Sequence, residues 1–235
     1  MRFNGAMDTN YWRSFFRARA ARPLPEVTPP SLPGATRAAL AASLARFQKG
    51  ESGEGRIASE VRRRSTDAAY AEAIGLFVRE EGRHARVLAA AVRALGGALI
   101  DAHWSDRLFI AGRRLLGFDL EISVLLAAEV VGRSYYGVLS ARLPGALGVA
   151  LADIAADEGA HLDFHASYLA SRPLMRSVSR LVTWLGAAIV LLDHHDCFTA
   201  IGVERGAFLR EIVKGLDDVV AVAHSPSERL RSRAA

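Results

Sequence analysis

The feature that most constrains the fold is a helical segment that occurs twice along the chain. Glu81 and His84 are repeated as Glu158 and His161, and both residues are displaced by the same number of positions (158 − 81 = 161 − 84 = 77). Residues three apart lie on one face of a helix, so each Glu-x-x-His motif presents a carboxylate and an imidazole to one point. The sequence therefore predicts two related helices that direct similar side chains at a common centre.

An isolated acid in apolar surroundings precedes each motif. Glu51 and Glu129 are separated by nearly the same distance as the motifs (129 − 51 = 78). Burial of an unpaired carboxylate costs roughly several kcal/mol, and metal coordination is one way to offset that cost. Glu54 shares the helix stripe of Glu51 and is retained as the alternative to it, although its position matches the repeat slightly less well.

Turn positions support a repeated antiparallel hairpin. The first acid and the first motif are nearly equidistant from a predicted turn at 65–67, and the second pair from a turn at 143–145. Residues equidistant from a tight turn face each other in an antiparallel hairpin, so all four carboxylates are expected at one level. Ser, Thr and Asp at the first turn are favourable N-caps, and Pro-Gly at the second favours a sharp reversal.

Helical signals dominate the chain from Thr36 onward. Apolar residues recur at spacings of three and four, and neither sustained alternation nor an Asn-Gly or Asp-Gly hairpin turn occurs. The segments predicted as helical are 36–64, 68–95, 105–142 with Gly117 as a candidate break, 146–171, 174–193 and 204–221. We predict an all-α domain over 35–222, with a core bundle over 36–171 and extra helices over 174–221.

The two ends of the chain differ from this domain. Residues 1–34 are predicted to form a Pro-rich arm that begins with a short amphipathic helix carrying Trp12, Phe15 and Phe16. Proline disfavours helix around it, so the remainder of the arm is expected to be extended over the body or a partner. Residues 223–235 are predicted to be a flexible tail.

Composition narrows the function classes. Cys197 is the single cysteine, which excludes an internal disulfide or a cysteine-based metal cluster. The net charge of +5 is spread over the chain without a nucleic-acid-binding motif, so nucleic acid is not expected as a partner. The longest apolar stretch, 181–192, is too short for a transmembrane span, and no signal segment is evident. We therefore expect a cytoplasmic protein.

The repeated hairpin resembles the ferritin-like di-iron carboxylate superfamily, which uses one Glu on each of two helices and Glu-x-x-His on two others. The stretch "FQKGES" is similar to the first-helix ligand segment of rubrerythrins, and "EEGRHA" to the second-helix segment of rubrerythrins and soluble acyl-carrier desaturases. The resemblance covers 36–171. It implies an antiparallel four-helix bundle with a long connection between the second and third helices, but no rubredoxin module, because that module needs more cysteines.

The resemblance also assigns roles to the ligands. It implies bridging Glu81 and Glu158, terminal Glu51 (or Glu54) and Glu129, and His84 and His161 bound to one metal each. Two iron ions are the expected cofactor, with manganese or a mixed iron–manganese pair as alternatives, because a site rich in oxygen ligands favours these metals over copper or zinc.

Five further features have alternative interpretations. Asp157 is either an outer partner of a metal-binding imidazole or an exposed acid, and His165 is an outer group, an extra ligand or a hydrogen-bonded helix histidine. Tyr136 is the candidate catalytic phenol, or else a core residue. Glu80 faces about 100° away from its neighbour around the helix and is interpreted as a surface acid. The run 193–196, "DHHD", is interpreted as an exposed helix cap in preference to a second metal site.

These features together favour an oxidase or oxygenase that activates dioxygen and acts on a small or apolar organic substrate. An electron-donor protein is expected to supply its electrons. Two alternatives are a peroxide-consuming or iron-handling protein, and a helical interaction protein with a vestigial metal site. A homodimer is compatible with each of them, and fold alone does not choose between them.

Overall fold

The computed structural model describes residues 7–52, 63, 65–104 and 118–224, and all regular secondary structure in these ranges is helical. The helices are α1 (Thr9–Arg19), α2 (Gly34–Glu51), α3 (Ala68–Ala94), α4 (Phe118–Ser140), α5 (Gly145–Leu169), α6 (Pro173–Asp193), α7 (His195–Ile201) and α8 (Arg205–His224). The prediction of an all-α chain is confirmed for the described residues.

Local sequence explains how the helices that carry the two motifs begin. Asp67 caps α3, since its side chain accepts a hydrogen bond from the backbone N–H of Tyr70 at 3.0 Å. Gly145 has a φ of +76° at the reversal between α4 and α5, where an L side chain would be strained. α2 packs against α3, and α4 packs extensively against α5. Each acid-bearing helix therefore lies beside the helix that carries its Glu-x-x-His motif.

Several predicted helix boundaries fall outside the described residues. α2 ends at Glu51, while Glu54 and the rest of the predicted 36–64 segment, apart from residues 52 and 63, lie outside the described residues. The candidate caps Ser105 and Asp106, the candidate break at Gly117 and the tail from 225 onward are also outside them. α7 was not predicted, because a helix of only two turns has no distinct periodicity.

The helix of the arm, α1, contributes to the core. α1 packs on α3, and its Trp12 and Phe16 are buried. Both rings contact Phe164 of α5, at centroid separations of 5.3 and 5.2 Å. Burial of each large apolar side chain contributes about 1.5–3 kcal/mol, so these contacts hold the arm on the body. The body is one of the two surfaces, body or partner, over which the arm was predicted to lie.

Within the described ranges, two helices are long and apolar enough to cross a membrane by length and composition, α4 and α6. The apolar window of α4 is 83% buried, as in the core helix of many proteins, whereas that of α6 is only 22% buried. The prediction considered the run 181–192 alone, but α6 extends to 21 residues.

Candidate metal centre

A buried cluster of four side chains lies between α3 and α5. Glu81 and His84 come from α3, and Glu158 and His161 come from α5. All four side chains are buried, and one ligand atom of each lies within 4.8 Å of those of the others. This cluster could hold a metal ion.

The first imidazole faces three carboxylates with the same nitrogen. His84 Nδ1 lies 3.1 Å from Glu158 Oε1, 3.7 Å from Glu81 Oε1 and 3.8 Å from Glu51 Oε2. Glu51 reaches this point from the last turn of α2.

The second imidazole has an equivalent environment. His161 Nδ1 lies 2.9 Å from Glu81 Oε1, 3.4 Å from Glu158 Oε2 and 3.5 Å from Glu129 Oε2. Glu129 is buried in the middle of α4.

The carboxylates are therefore shared unequally between the two imidazoles. Glu81 and Glu158 face both of them, whereas Glu51 faces only the first and Glu129 only the second. The cluster thus has an approximate two-fold arrangement that follows the repeat in the sequence.

Four buried polar atoms at the centre of the cluster lack a hydrogen bond of acceptable geometry with any described residue. They are Glu81 Oε1, His84 Nδ1, Glu158 Oε1 and His161 Nδ1. Leaving a buried polar atom without a hydrogen bond costs about 1–3 kcal/mol of folding free energy. These four atoms converge on one point, and their mutual proximity does not provide that hydrogen bond. Coordination of a cation would satisfy all of them, so the residues present fit a metal.

An outer carboxylate holds the far side of each imidazole. His84 Nε2 lies 3.2 Å from Asp157 Oδ2, and His161 Nε2 lies 3.0 Å from Glu80 Oε2. Metal-binding histidines usually have such a partner, which fixes the tautomer and the ring orientation. Each acid immediately precedes the glutamate of the motif on the opposite helix.

The interpretation of Glu80 as a surface acid is wrong, since Glu80 is only 6% exposed. Its direction differs from that of Glu81, but the arm and α5 cover that side of α3 as well. The signal that could have identified it is the longer repeat, Glu80-Glu81-x-x-His84 against Asp157-Glu158-x-x-His161.

Two arginines of the arm close over the outer carboxylates, a feature that the sequence analysis missed. Arg19 Nε lies 3.0 Å from Glu80 Oε1 and Arg22 Nη2 lies 2.9 Å from the same oxygen. Both guanidinium groups also pair with Asp157, and Arg83 Nη1 lies 3.5 Å from it. Burial alone would raise the pKa of Glu80, but its hydrogen bond with His161 and the nearby positive charges lower it to about 2.

The pKa values in the cluster favour retention of protons on its buried groups. The pKa values of Glu81 and Glu129 are well above the ordinary range because of burial and then of neighbouring carboxylates. Burial opposes protonation of His84 and His161, but the surrounding carboxylates raise both pKa values. Burial alone would raise the pKa of Glu158, but its interactions with Glu129, His161 and His84 lower it well below the ordinary range. Retained protons thus offset part of the negative charge of the buried carboxylates.

Tyr136 and His165 each lie against one carboxylate of the cluster. The hydroxyl of Tyr136 donates to Glu51 Oε1 at 2.5 Å, and burial followed by the charge of Glu51 raises its pKa. His165 Nε2 lies 3.5 Å from Glu129 Oε1, and neither ring nitrogen has a hydrogen bond with a described residue. Burial and then the charge of His161 lower the pKa of His165 to about 3, so it is a neutral imidazole beside a ligand candidate.

The segment 193–196 is not wholly exposed, so its interpretation as an exposed cap is wrong for His194. This residue is buried at the junction of α6 and α7, where its Nδ1 lies 2.7 Å from Ser43 Oγ. Ser43 Oγ is in turn 2.5 Å from the hydroxyl of Tyr135. His195 and Asp196 are exposed. The junction packs on α2, which a helix-end pattern alone does not reveal.

A cavity of about 410 Å³ adjoins the cluster between α2, α4 and α6. Its walls include the four ligand carboxylates, while most of the remainder is apolar: Phe47, Leu125, Ala128, Val182, Leu185 and Ile189. This volume is in the range of pockets for small organic molecules. A larger cleft of about 710 Å³, between α2 and residues 95–103, has no carboxylate in its described walls and lies apart from the cluster.

The fold and the site define a helical protein with a buried carboxylate–histidine cluster suited to a metal. No protein-family model, curated protein or solved structure matches the chain. Its function is therefore argued from the cluster and the cavity beside it.

Proposed function

We propose that this protein is a dinuclear metal oxidase or oxygenase of the ferritin-like type that acts on a small apolar organic substrate. The observation that carries the proposal is the unequal sharing of carboxylates. Glu81 and Glu158 face both imidazoles, as bridging ligands of two ions would, whereas Glu51 and Glu129 each face one. A single-ion site would not need two separate terminal carboxylates.

The metal proposed is iron, with manganese or a mixed pair as the alternatives. Four carboxylates and two imidazoles make a donor set rich in oxygen, which suits iron and manganese better than copper or zinc. The ligands would be Glu51, Glu81, His84, Glu129, Glu158 and His161. A bound iron pair would supply the redox electrons for reducing dioxygen.

The chain itself orients the ligands. Asp157 and Glu80 fix the two imidazoles so that Nδ1 of each points inward. Tyr136 hydrogen-bonds to Glu51 and restrains the orientation of its carboxylate. Such preorganisation of ligands by their neighbours is a general means of tuning a metal site.

The cavity supports an organic substrate over peroxide alone. Its walls are mainly apolar and reach the carboxylates directly, so an apolar molecule bound there would exclude water from the reacting centre. Consumption of peroxide or storage of iron would not require a cavity of this size. Repeated turnover would need an electron donor, for which a separate protein is proposed.

Metal analysis tests the dinuclear site. Protein isolated from iron-supplemented cells is expected to contain about two metal ions per chain. Glu81→Ala should lose most of this metal because it removes a shared ligand. Glu72→Ala is the matched control, since Glu72 is on the same helix but pairs with Arg17 at the surface. Equal metal contents in Glu81→Ala and Glu72→Ala would contradict the proposal.

A cavity-filling variant tests the substrate class. Ile189→Trp should retain the metal but block oxidation of apolar compounds, because Ile189 lines the cavity without being a ligand. Val178→Trp, on the same helix but not a lining residue, is the control. Substrate-dependent oxygen uptake should fall only in the first variant, and unchanged uptake in Ile189→Trp would argue against the cavity as the substrate site.

A further inference from the structure

We propose that the exposed face of α6 docks this protein on an anionic lipid bilayer, with the mouth of the cavity towards the leaflet. The role of the mouth in admitting substrate rests on the proposed function, whereas the docking does not. Four leucines carry the inference, Leu174, Leu181, Leu185 and Leu192, which are between 57% and 80% exposed. We refer to these four residues as the leucine stripe.

The leucine stripe follows one line along the helix. Its members are separated by seven, four and seven positions, spacings that return to the same side of an α-helix. From Leu174 to Leu192 the stripe extends about 27 Å at the usual rise per residue. Trp184 lies beside it and is also exposed. A continuous apolar surface of this length is unusual on a protein that contacts only water.

The opposite side of α6 is committed to the fold. Ser179, Thr183, Ala187 and Val190 are buried, and the helix packs against α4 and α8. A membrane-crossing orientation would require α6 to leave these contacts. The arrangement instead suits a helix that lies in the plane of the interface, with its apolar side in the acyl boundary and its other side on the protein.

Charge favours anionic lipid. α6 has no acidic residue before Asp193, and it carries Arg176 and Arg180. Arg180 is exposed one turn before Trp184, on the flank of the stripe, where its stem can lie along the apolar surface while its head reaches a phosphate. The net charge of +5 acts in the same direction, because basic proteins are attracted to anionic leaflets.

The cavity favours a bilayer over a second copy of the chain. Leu185 is both a member of the leucine stripe and a lining residue, so the mouth opens beside the stripe. Val182, Gly186 and Ile189 continue from that point into the wall. A protein partner seated on the stripe would cover the mouth, whereas a leaflet would provide an apolar medium from which an apolar molecule enters.

Vesicle binding tests the docking. The full chain is expected to co-sediment with vesicles of phosphatidylcholine and phosphatidylglycerol in equal amounts, and less with phosphatidylcholine alone or in high salt. Leu181→Glu/Leu192→Glu should bind at least about tenfold more weakly. Val149→Glu is the matched control, since Val149 is 63% exposed but lies on α5. Equal binding by Leu181→Glu/Leu192→Glu and Val149→Glu would overturn the proposal.

Two further measurements separate the alternatives. Brominated phosphatidylcholine should quench tryptophan emission in the parent chain and much less in Trp184→Phe, because Trp184 is exposed beside the leucine stripe. A parent dimer that the stripe substitutions dissociate, with no vesicle binding, would assign the stripe to self-association and overturn the proposal. Vesicle binding that persists in Glu81→Ala without metal would support docking even if the proposed oxidase activity failed.

Discussion

Arg19 of the arm pairs with Asp157 of α5, across 138 residues of sequence. Asp157 also lies against Nε2 of His84, so a single carboxylate connects the arm to a candidate metal-binding imidazole. Glu80 makes the same connection between the arm and His161. Docking of the arm and the geometry of the cluster are therefore expected to be coupled, and such coupling acts in both directions.

Removal of the arm's guanidinium groups should weaken metal binding. Arg19→Gln/Arg22→Gln removes the guanidinium groups of the arm from both outer carboxylates, although Asp157 keeps the more distant Arg83. Loss of outer-partner support typically lowers metal affinity about 10–100-fold. Competition with a chelator measures the change. Arg17→Gln is the control, because Arg17 is on the same helix but pairs with Glu72 at the surface.

The reciprocal effect is measured on the arm. Metal binding should slow trypsin cleavage within the arm of the parent chain, and this protection should be reduced in Arg19→Gln/Arg22→Gln. Arg17→Gln loses one cleavage position, so cleavage is compared between metal-loaded and metal-free samples of each variant. Identical metal affinities in all three proteins would contradict the coupling.

The metal-free protein should lose stability as the pH rises above 6.5. Raised pKa values for Glu81, Glu129, His84 and His161 mean that the folded state binds protons that the unfolded chain releases. Groups of this kind stabilise the fold at low pH and lose that contribution as the pH approaches their folded pKa values.

Histidines with lowered pKa values change the stability in the opposite direction, but only below pH 6.5. His194, like His165, has a pKa of about 3, caused mainly by burial, so stability is lost as the pH falls below 6.5. The slope above pH 6.5 therefore reports the raised groups. Thermal unfolding at pH 6.5 and about pH 8.5 should show a decline that added metal suppresses and that Glu129→Gln reduces. A flat metal-free profile would show that the cluster does not retain protons.

Adjacent tyrosines provide a matched comparison. Tyr136→Phe removes the hydrogen bond to Glu51, whereas Tyr135→Phe removes the contact with Ser43. Both residues are buried, so each variant should lose about 1 kcal/mol of stability. Only Tyr136→Phe should lower metal affinity or alter the optical spectrum of the loaded site. An equal effect of the two variants on the metal would show that Tyr136 acts through general stability alone.

Two glycines test the hairpin geometry. A Cβ at Gly148 would lie 1.8 Å from the backbone oxygen of Leu143, whereas one at Gly75 would meet nothing within 4 Å. Gly148→Ala should therefore destabilise the protein by about 1–3 kcal/mol, because the turn before α5 must move. Gly75→Ala should stabilise it by about 0.5–1 kcal/mol, the usual gain within a helix. Urea unfolding measures both, and stabilisation by Gly148→Ala would contradict this turn geometry.

The parts of the site that depend on helical repetition could be predicted from the sequence. The offset between the motifs and the turn midpoints placed Glu51, Glu81, Glu129 and Glu158 at one level, and the structure brings all four to the same cavity. Spacing within a hairpin is a local property, so periodicity and turn chemistry are sufficient to predict it. Which of these residues bind metal is a separate prediction that still needs metal analysis.

Contacts that depend on distant segments could not be predicted in this way. Arg19 and Arg22 carry no local pattern that points to Glu80 or Asp157, which are far away in the chain. Glu80 was misinterpreted because its helix has covered surface on more than one side, and periodicity identifies only the most apolar side. The burial of His194 likewise depends on how α6 and α7 meet α2.

The outer carboxylates are exchanged between the two repeats. Asp157, from the second repeat, supports His84 of the first, and Glu80, from the first, supports His161 of the second. Neither hairpin therefore contains a fully supported imidazole of its own. If the two hairpins arose by duplication, each now depends on the other to support its imidazole. A substitution in one repeat therefore affects the candidate ligand of the other.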